Sequence, residues 1–207
     1  YVEPVYADLA DGAITVHARG DYGARHRHLR FTALEYEHAQ HVSATFEGAL
    51  VLRDGVTIER GVLSLGALQL PASYGSYLQG FLVGTPLARL ETRGVVSGRL
   101  QLAAGHLTAA ELDLQSLAGD DRDGRLAVYG ATGSLAWRRR SEPSDSAQGA
   151  DQDCDGYGAP QASELTWQGG FLYGFDFGVG AARFCLAGDD IALLDSLSLP
   201  LLDGSLV

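Results

Sequence analysis

The sequence predicts a mainly β protein, an antiparallel meander of about ten or more strands with at most one or two short helices. Three observations carry this expectation: a period of two in the apolar residues, glycine-containing turns between the alternating segments, and a shortage of helical spacing. "RLQLAAGHLTAAELDL" puts Leu100 and Leu102 on one face, turns at Ala104-Gly105, and resumes with Leu112 and Leu114. "GRLAVYGATGSLAW" repeats the rhythm with Leu126 and Val128, a glycine break, then Leu135 and Trp137, and "ELTW" adds Leu165 and Trp167. Such alternation collects one set of side chains on one face of a sheet.

Turns are expected at Asp54-Gly55, Gly105, Asp123-Gly124, Gly169-Gly170, Gly188-Asp189 and Asp203-Gly204. Asp-Gly between alternating segments is a strong hairpin signal. Helix is expected only within residues 72–90, where Tyr77, Leu78, Phe81 and Leu82 fall at helical spacing while Gly80, Gly84 and Pro86 limit its length. In "GGFLYGFDFGVG", unbroken alternation would put Phe171, Tyr173, Phe175 and Phe177 on one face and Leu172 on the other. Together with "LSLPLLDGSLV", this leaves the last third apolar on both faces, as in a two-layer core, so a β-sandwich is the alternative fold.

Residues 141–162, "SEPSDSAQGADQDCDGYGAPQA", interrupt the pattern. They hold almost no large apolar side chain to offset the entropy of ordering, and read as a flexible polar insertion between two hairpin neighbours. The chain is otherwise one β domain over residues 1–207. It opens on Tyr1, contains no methionine and ends within an apolar run, so it reads as a segment of a longer protein. No run of about 18 apolar residues suggests a membrane span.

The net charge of -11 argues against non-specific binding to nucleic acid. All 15 basic side chains are arginine, in keeping with the Ala, Gly and Leu richness of a GC-rich coding sequence. Two cysteines, Cys154 and Cys185, allow one bridge, and two free thiols are equally compatible with the sequence.

Candidate chemistry is sparse. Asp151, Asp153, Asp155 and Gly156 match the opening of an EF-hand calcium loop, but the twelfth position is Ala162 and Glu164 comes two residues late. The stretch reads as a solvated acidic loop. His26, His28, His38 and His41 lack a nearby cysteine or an HExxH pattern, and read as solvated histidines on a charged strand. There is no G-x-S-x-G elbow, and a P-loop needs a lysine this chain lacks. Arg138-Arg139-Arg140 suits lipid phosphates and equally suits a solvated strand end. No catalytic residue, metal site or cofactor is expected.

The recurring unit is a strand, a glycine turn, a strand and a closing "l-x-L-x-L-P", in "TFEGALVLRDGVTIERGVLSLGALQLP" and "LTWQGGFLYGFDFGVGAARFCLAGDDIALLDSLSLPLLDGSLV". With the phrases "DGRLAVYGATGSLAW" and "LSLPLLDGSLV", residues 42–207 resemble the AsmA-like and TamB-like envelope proteins of Gram-negative bacteria. The nearest branch is YdbH-like, whose family label reads "dicarboxylate transport". The insertion and the histidine-rich start depart from the cadence. The resemblance implies a sheet curled into an open U-shaped trough with an apolar interior. It also implies a parent protein in the periplasm, anchored at the inner membrane through a part outside this chain. Its partner would be phospholipid, with acyl chains sliding in the trough and head groups in water.

On that expectation the groove would be lined by Leu100, Leu102, Leu112, Leu114, Leu126, Val128, Leu135, Trp137, Leu165 and Trp167. The alternative function is a secreted or periplasmic β-sandwich binding module for carbohydrate or protein. An outer-membrane barrel is a third reading, which strands this short and irregular fit poorly.

Overall fold

A computed structural model describes residues 12–52, 55–140, 154, 161–196, 199–201 and 204–206. They form one open, largely antiparallel sheet, not closed into a barrel, with almost no helix. Seven strands follow one another without a crossover: β1 (Ile14–Gly23), β2 (His28–His38), β3 (Val42–Leu52), β4 (Val56–Leu70), β5 (Leu90–Ala103), β6 (His106–Asp121) and β7 (Leu126–Arg138). Seven shorter strands complete the sheet: β8 (Ser163–Trp167), β9 (Gly169–Leu172), β10 (Phe175–Phe177), β11 (Gly180–Ala187), β12 (Asp190–Leu193), β13 (Leu199–Leu201) and β14 (Gly204–Leu206).

The short strands continue the meander as interrupted rows. β8 and β9 both pair with β7, and between them the Gln168 N–H donates to the Tyr129 carbonyl. The expected turn at Gly169-Gly170 is therefore an irregularity inside a row, because these glycines lie opposite Tyr129 and Val128 in the ladder. The chain reverses instead at Tyr173 and Gly174, both at positive φ. That reversal corrects the expected faces. Phe175 lies opposite Leu172, and Phe171 lies opposite Asp176 and Ala127, so Leu172, Phe175 and Phe177 share a face and Phe171 takes the other.

Among the described residues the helical elements all lie in the β4–β5 connection. One π-helical turn (Tyr74–Leu78) runs into one α-helical turn (Gln79–Leu82), and a 3-10 turn (Pro86–Arg89) leads into β5. Val83 leaves helical geometry and Gly84 takes a positive φ, which ends the first piece. The Thr85 hydroxyl then donates to the Leu82 carbonyl, closing that end.

All described strands belong to one sheet, so the two-layer core of a sandwich does not form among them. Burial agrees. Leu114 is the sole Leu, Ile, Val or Phe among the residues of described burial that is buried, whereas Leu172, Phe175, Ile191 and Leu193 are all more than half exposed.

β-Bulges keep one side of the sheet apolar although the sequence alternation changes parity. A register shift puts Leu50 opposite Ile58 and Gly48 opposite Gly61, so Ile58 and Gly61 share a face despite being three residues apart. In the same way Leu114 shares a face with Leu117, and Val128 with Ala131. Bulges also bend and twist the strands that carry them.

On this apolar side aromatic rings lie across glycines. A Cβ at Gly61 would sit 2.3 Å from a ring carbon of Phe46, one at Gly170 2.5 Å from Phe177, and one at Gly180 2.4 Å from Trp167. The absent side chain lets each ring lie low on the sheet. Gly61→Ala should therefore lower stability by roughly 1–3 kcal/mol through overpacking. Gly75→Ala, with nothing within 4 Å of its Cβ and no positive φ, should be close to neutral. Urea midpoints at unchanged slope check the pair.

Cys154 and Cys185 are joined by a disulfide, with Cα atoms 5.5 Å apart and a sequence separation of 31. The bond is buried with Ala187, and Ala162, Ala192 and Leu194 pack against it. Cys185 alternates with Leu186 on β11 and therefore faces the polar side, where neighbouring Arg183 pairs with Glu164 at 3.0 Å. Replacing both cysteines by serine should cost roughly 3–4 kcal/mol in the chain-entropy account of a loop this long. Denaturation of the variant, and of the native chain with and without reductant, measures the difference.

Candidate functional site

The ladder registers place all ten expected groove residues on one face. Leu100 lies opposite Leu63 and Ala110, Leu112 opposite Leu135 and Gly98, and Leu114 opposite Val96 and Gly133. Gly133 in turn faces Leu165, and Trp137 lies opposite Ala110. Leu102 alternates with Leu100 on β5 and lies opposite Leu107 across a bulge in β6, and Leu126 and Val128 join Leu135 through the bulge at Gly130. Trp167 follows Leu165 on β8 and faces Gly180. Leu114 is buried and the other nine are half-buried.

The face extends beyond those ten residues. Leu63 and Leu65 continue it through Phe46 and Ala44 to Leu34 and Tyr36, and on to Ala18 and Val16 of β1. On the far side Phe177 and Leu172 extend it past β7. The sequence signal for Phe46, "TFEGALVL", is as regular as that of the residues chosen, but bulges in the neighbouring strands β2 and β4 break a simple count from strand to strand. The opposite face carries Glu35, Thr45, Ser64, Arg99, Glu111, Ser134, Glu164 and Arg183 at matching register positions. The sheet is thus amphipathic, with no second sheet on its apolar side among the described residues.

Each border of this face has its own chemistry. Along one border the helical connection folds onto the apolar side. The Tyr77 hydroxyl lies 2.7 Å from the Tyr36 hydroxyl and 2.6 Å from His38 Nδ1, and Tyr36 and His38 both point to that side. Burial, reinforced by the Tyr36 hydrogen bond, pushes the Tyr77 phenol well above its ordinary range. His38 stacks on His41 with ring centres 4.0 Å apart, and the Ser73 hydroxyl donates to the His41 carbonyl. Both rings are buried, which corrects the expectation of solvated histidines at His38 and His41. The helical turn brings Tyr77 across from a distant part of the chain, and no local pattern announces it. His26 and His28 remain near the surface, their rings in edge contact, with His28 3.7 Å from Glu59.

Further along that border lies a charged turn. Asp121 is buried and accepts two hydrogen bonds from Arg125, at 2.6 and 3.2 Å, plus one from the Asp123 N–H. The Arg125 hydrogen bond holds the Asp121 carboxyl below its usual range. A depressed carboxylate stabilises the fold at pH above its unfolded-state value, and that contribution fades as pH falls through the folded value. Arg125→Gln should therefore move the acid-unfolding midpoint to higher pH, which a circular-dichroism titration reads directly.

Along the opposite border β8 starts late, at Ser163, and beyond it β7 and β11 pair directly in parallel, Leu186 against Trp137 and Ala187 against Arg138. The Trp137 indole N–H donates to the Gly188 carbonyl at 2.8 Å, and the Gly188 N–H donates to the Arg138 carbonyl at 2.9 Å. The Trp167 indole N–H, by contrast, is buried on the apolar face without a partner among the described residues.

No group of three or more His, Cys, Asp or Glu among the described residues is placed to hold a metal ion. Asp151, Asp153 and Asp155 lie outside the described residues. No described helix is long and apolar enough to cross a membrane, a statement that leaves strands aside. Compared with protein-family models, curated proteins and solved structures, the chain matches none.

Proposed function

We propose that this chain is a non-enzymatic segment of a cell-envelope lipid-transfer bridge of the AsmA-like and TamB-like kind, nearest the YdbH-like branch. In this reading the apolar sheet face is a groove for phospholipid acyl chains. The observation that carries the proposal is the continuous apolar face, with Leu, Phe and Trp in register across successive strands and no second sheet over it among the described residues. A soluble protein seldom leaves so extended an apolar surface without a ligand or partner. An acyl chain is a fitting one, since each buried methylene contributes about 0.8 kcal/mol. Contacts that repeat from strand to strand would bind weakly and evenly, which suits sliding better than capture. The parent protein would be anchored at the inner membrane and span the periplasm. A disulfide between Cys154 and Cys185 accords with such an oxidising compartment.

The chain's two tryptophans, Trp137 and Trp167, both lie on this face and supply an intrinsic probe. Phospholipid should co-purify in native mass spectrometry, and phospholipids with brominated acyl chains should quench tryptophan emission in a saturable way. Absence of both signals would remove the proposal.

A further inference from the structure

The border where β7 meets β11 carries a cleft of about 600 Å³, to which Leu107 and Trp137 of the apolar face contribute. Leu107 and Trp137 give it an apolar side, and His106, Arg139, Arg140, Asp189 and Asp190 line the rest. The framework is fixed. Trp137 is tied to Gly188, Gly188 is tied back to Arg138, and the buried disulfide holds β11 two residues before Ala187. Arg139 continues the β6–β7 ladder through its N–H to the Thr108 carbonyl, so the guanidinium is carried at the lip of the sheet.

The Arg and Asp charges of this cleft balance. Arg140 and Asp190 pair at 2.6 Å and neutralise one another. Of the Arg and Asp side chains, that leaves one cation, Arg139, and one anion, Asp189, neither of which makes an ion pair among the described residues. His106 lines the cleft beside them. A purely anionic ligand would gain Arg139 but meet the Asp189 carboxylate, and a purely cationic ligand would meet the reverse. A ligand with a phosphate and an ammonium a few bonds apart satisfies both.

The geometry points to this cleft as a subsite for the head group of a zwitterionic phospholipid, the phosphate toward Arg139 and the ammonium toward Asp189. The attached acyl chain would run over Leu107 and Trp137 onto the apolar face. The inference rests on the reading of that face as a lipid groove. It adds that the groove selects by head group at one border, and that the selection works through balanced charge rather than a basic patch.

Single exposed ion pairs contribute modestly, so each group should change affinity by roughly two- to five-fold. The test measures binding of lysophosphatidylethanolamine, lysophosphatidylglycerol and a monoacylglycerol with the same acyl chain to the oxidised protein. The native chain should favour the ethanolamine lipid over the glycerol lipid several-fold. Asp189→Asn should abolish that preference without weakening lysophosphatidylglycerol. Arg139→Gln should weaken both phospholipids and leave the monoacylglycerol unchanged.

Equal binding of all three amphiphiles by the native chain would overturn the subsite while leaving the groove standing. A preference that survives Asp189→Asn would do the same. Free glycerophosphoethanolamine competing as well as the lysolipid would identify a soluble-ligand site instead, and overturn the proposal that way. Failure of every amphiphile to bind would sink the groove and the subsite together.

Discussion

The uninterrupted antiparallel ladder is the constraint on which the rest of this structure depends. Each strand from β1 to β7 is hydrogen-bonded to the next in sequence, and the broken rows β8–β9, β10–β11 and β12–β13 extend the same succession. Direct pairing fixes which residues stand opposite one another, and opposite residues share a face. One register slip would turn a strand's apolar residues to the polar side. The nine register shifts from β1 to β7 instead act in the other direction, resetting parity wherever the sequence alternation changes step. The outcome is a surface apolar on one side from Val16 to Phe177, with no second sheet upon it among the described residues.

A sheet of this kind cannot rely on a closed core. Its small fully buried groups lie along the borders, and they are mostly polar or disulfide-bonded: His38, Ser73, Asp121, Ser163, Cys154 and Cys185. At one border Tyr77 ties the helical connection to Tyr36 and His38, and Asp121 grips Arg125. At the other, the disulfide and the Trp137–Gly188 contact fasten β7 to β11. Anchors at the borders leave the middle of the apolar face free. In the proposed function, that is where an acyl chain lies.

Much of this was legible in "RLQLAAGHLTAAELDL" and its counterparts, because alternation within a strand is a local property. Leu100 with Leu102, Leu112 with Leu114, and Leu135 with Trp137 follow from it directly. The extension through Phe46 and Phe177 was harder to read. At Phe46 the bulges shift the count, and at Phe177 an unforeseen reversal at Tyr173-Gly174 exchanges the faces of the aromatic run. The border chemistry was not legible at all. Tyr77 meets His38 across 39 residues and Trp137 meets Gly188 across 51, separations no local pattern encodes.

The sequence by itself determined that the chain is mainly β, that it meanders, and which residues alternate within each strand, since backbone geometry ties a period of two to one face. Only the tertiary structure decided that the described strands form one open sheet rather than two facing ones. Both arrangements use the same alternating strands, and they differ only in whether the apolar face is covered. It also decided the state of Cys154 and Cys185, whose pairing depends on bringing Cys154 against β11. The balanced charges of the β7–β11 cleft have the same origin. Arg139 and Asp189 belong to different hairpins, and the direct pairing of β7 with β11 sets them around one opening.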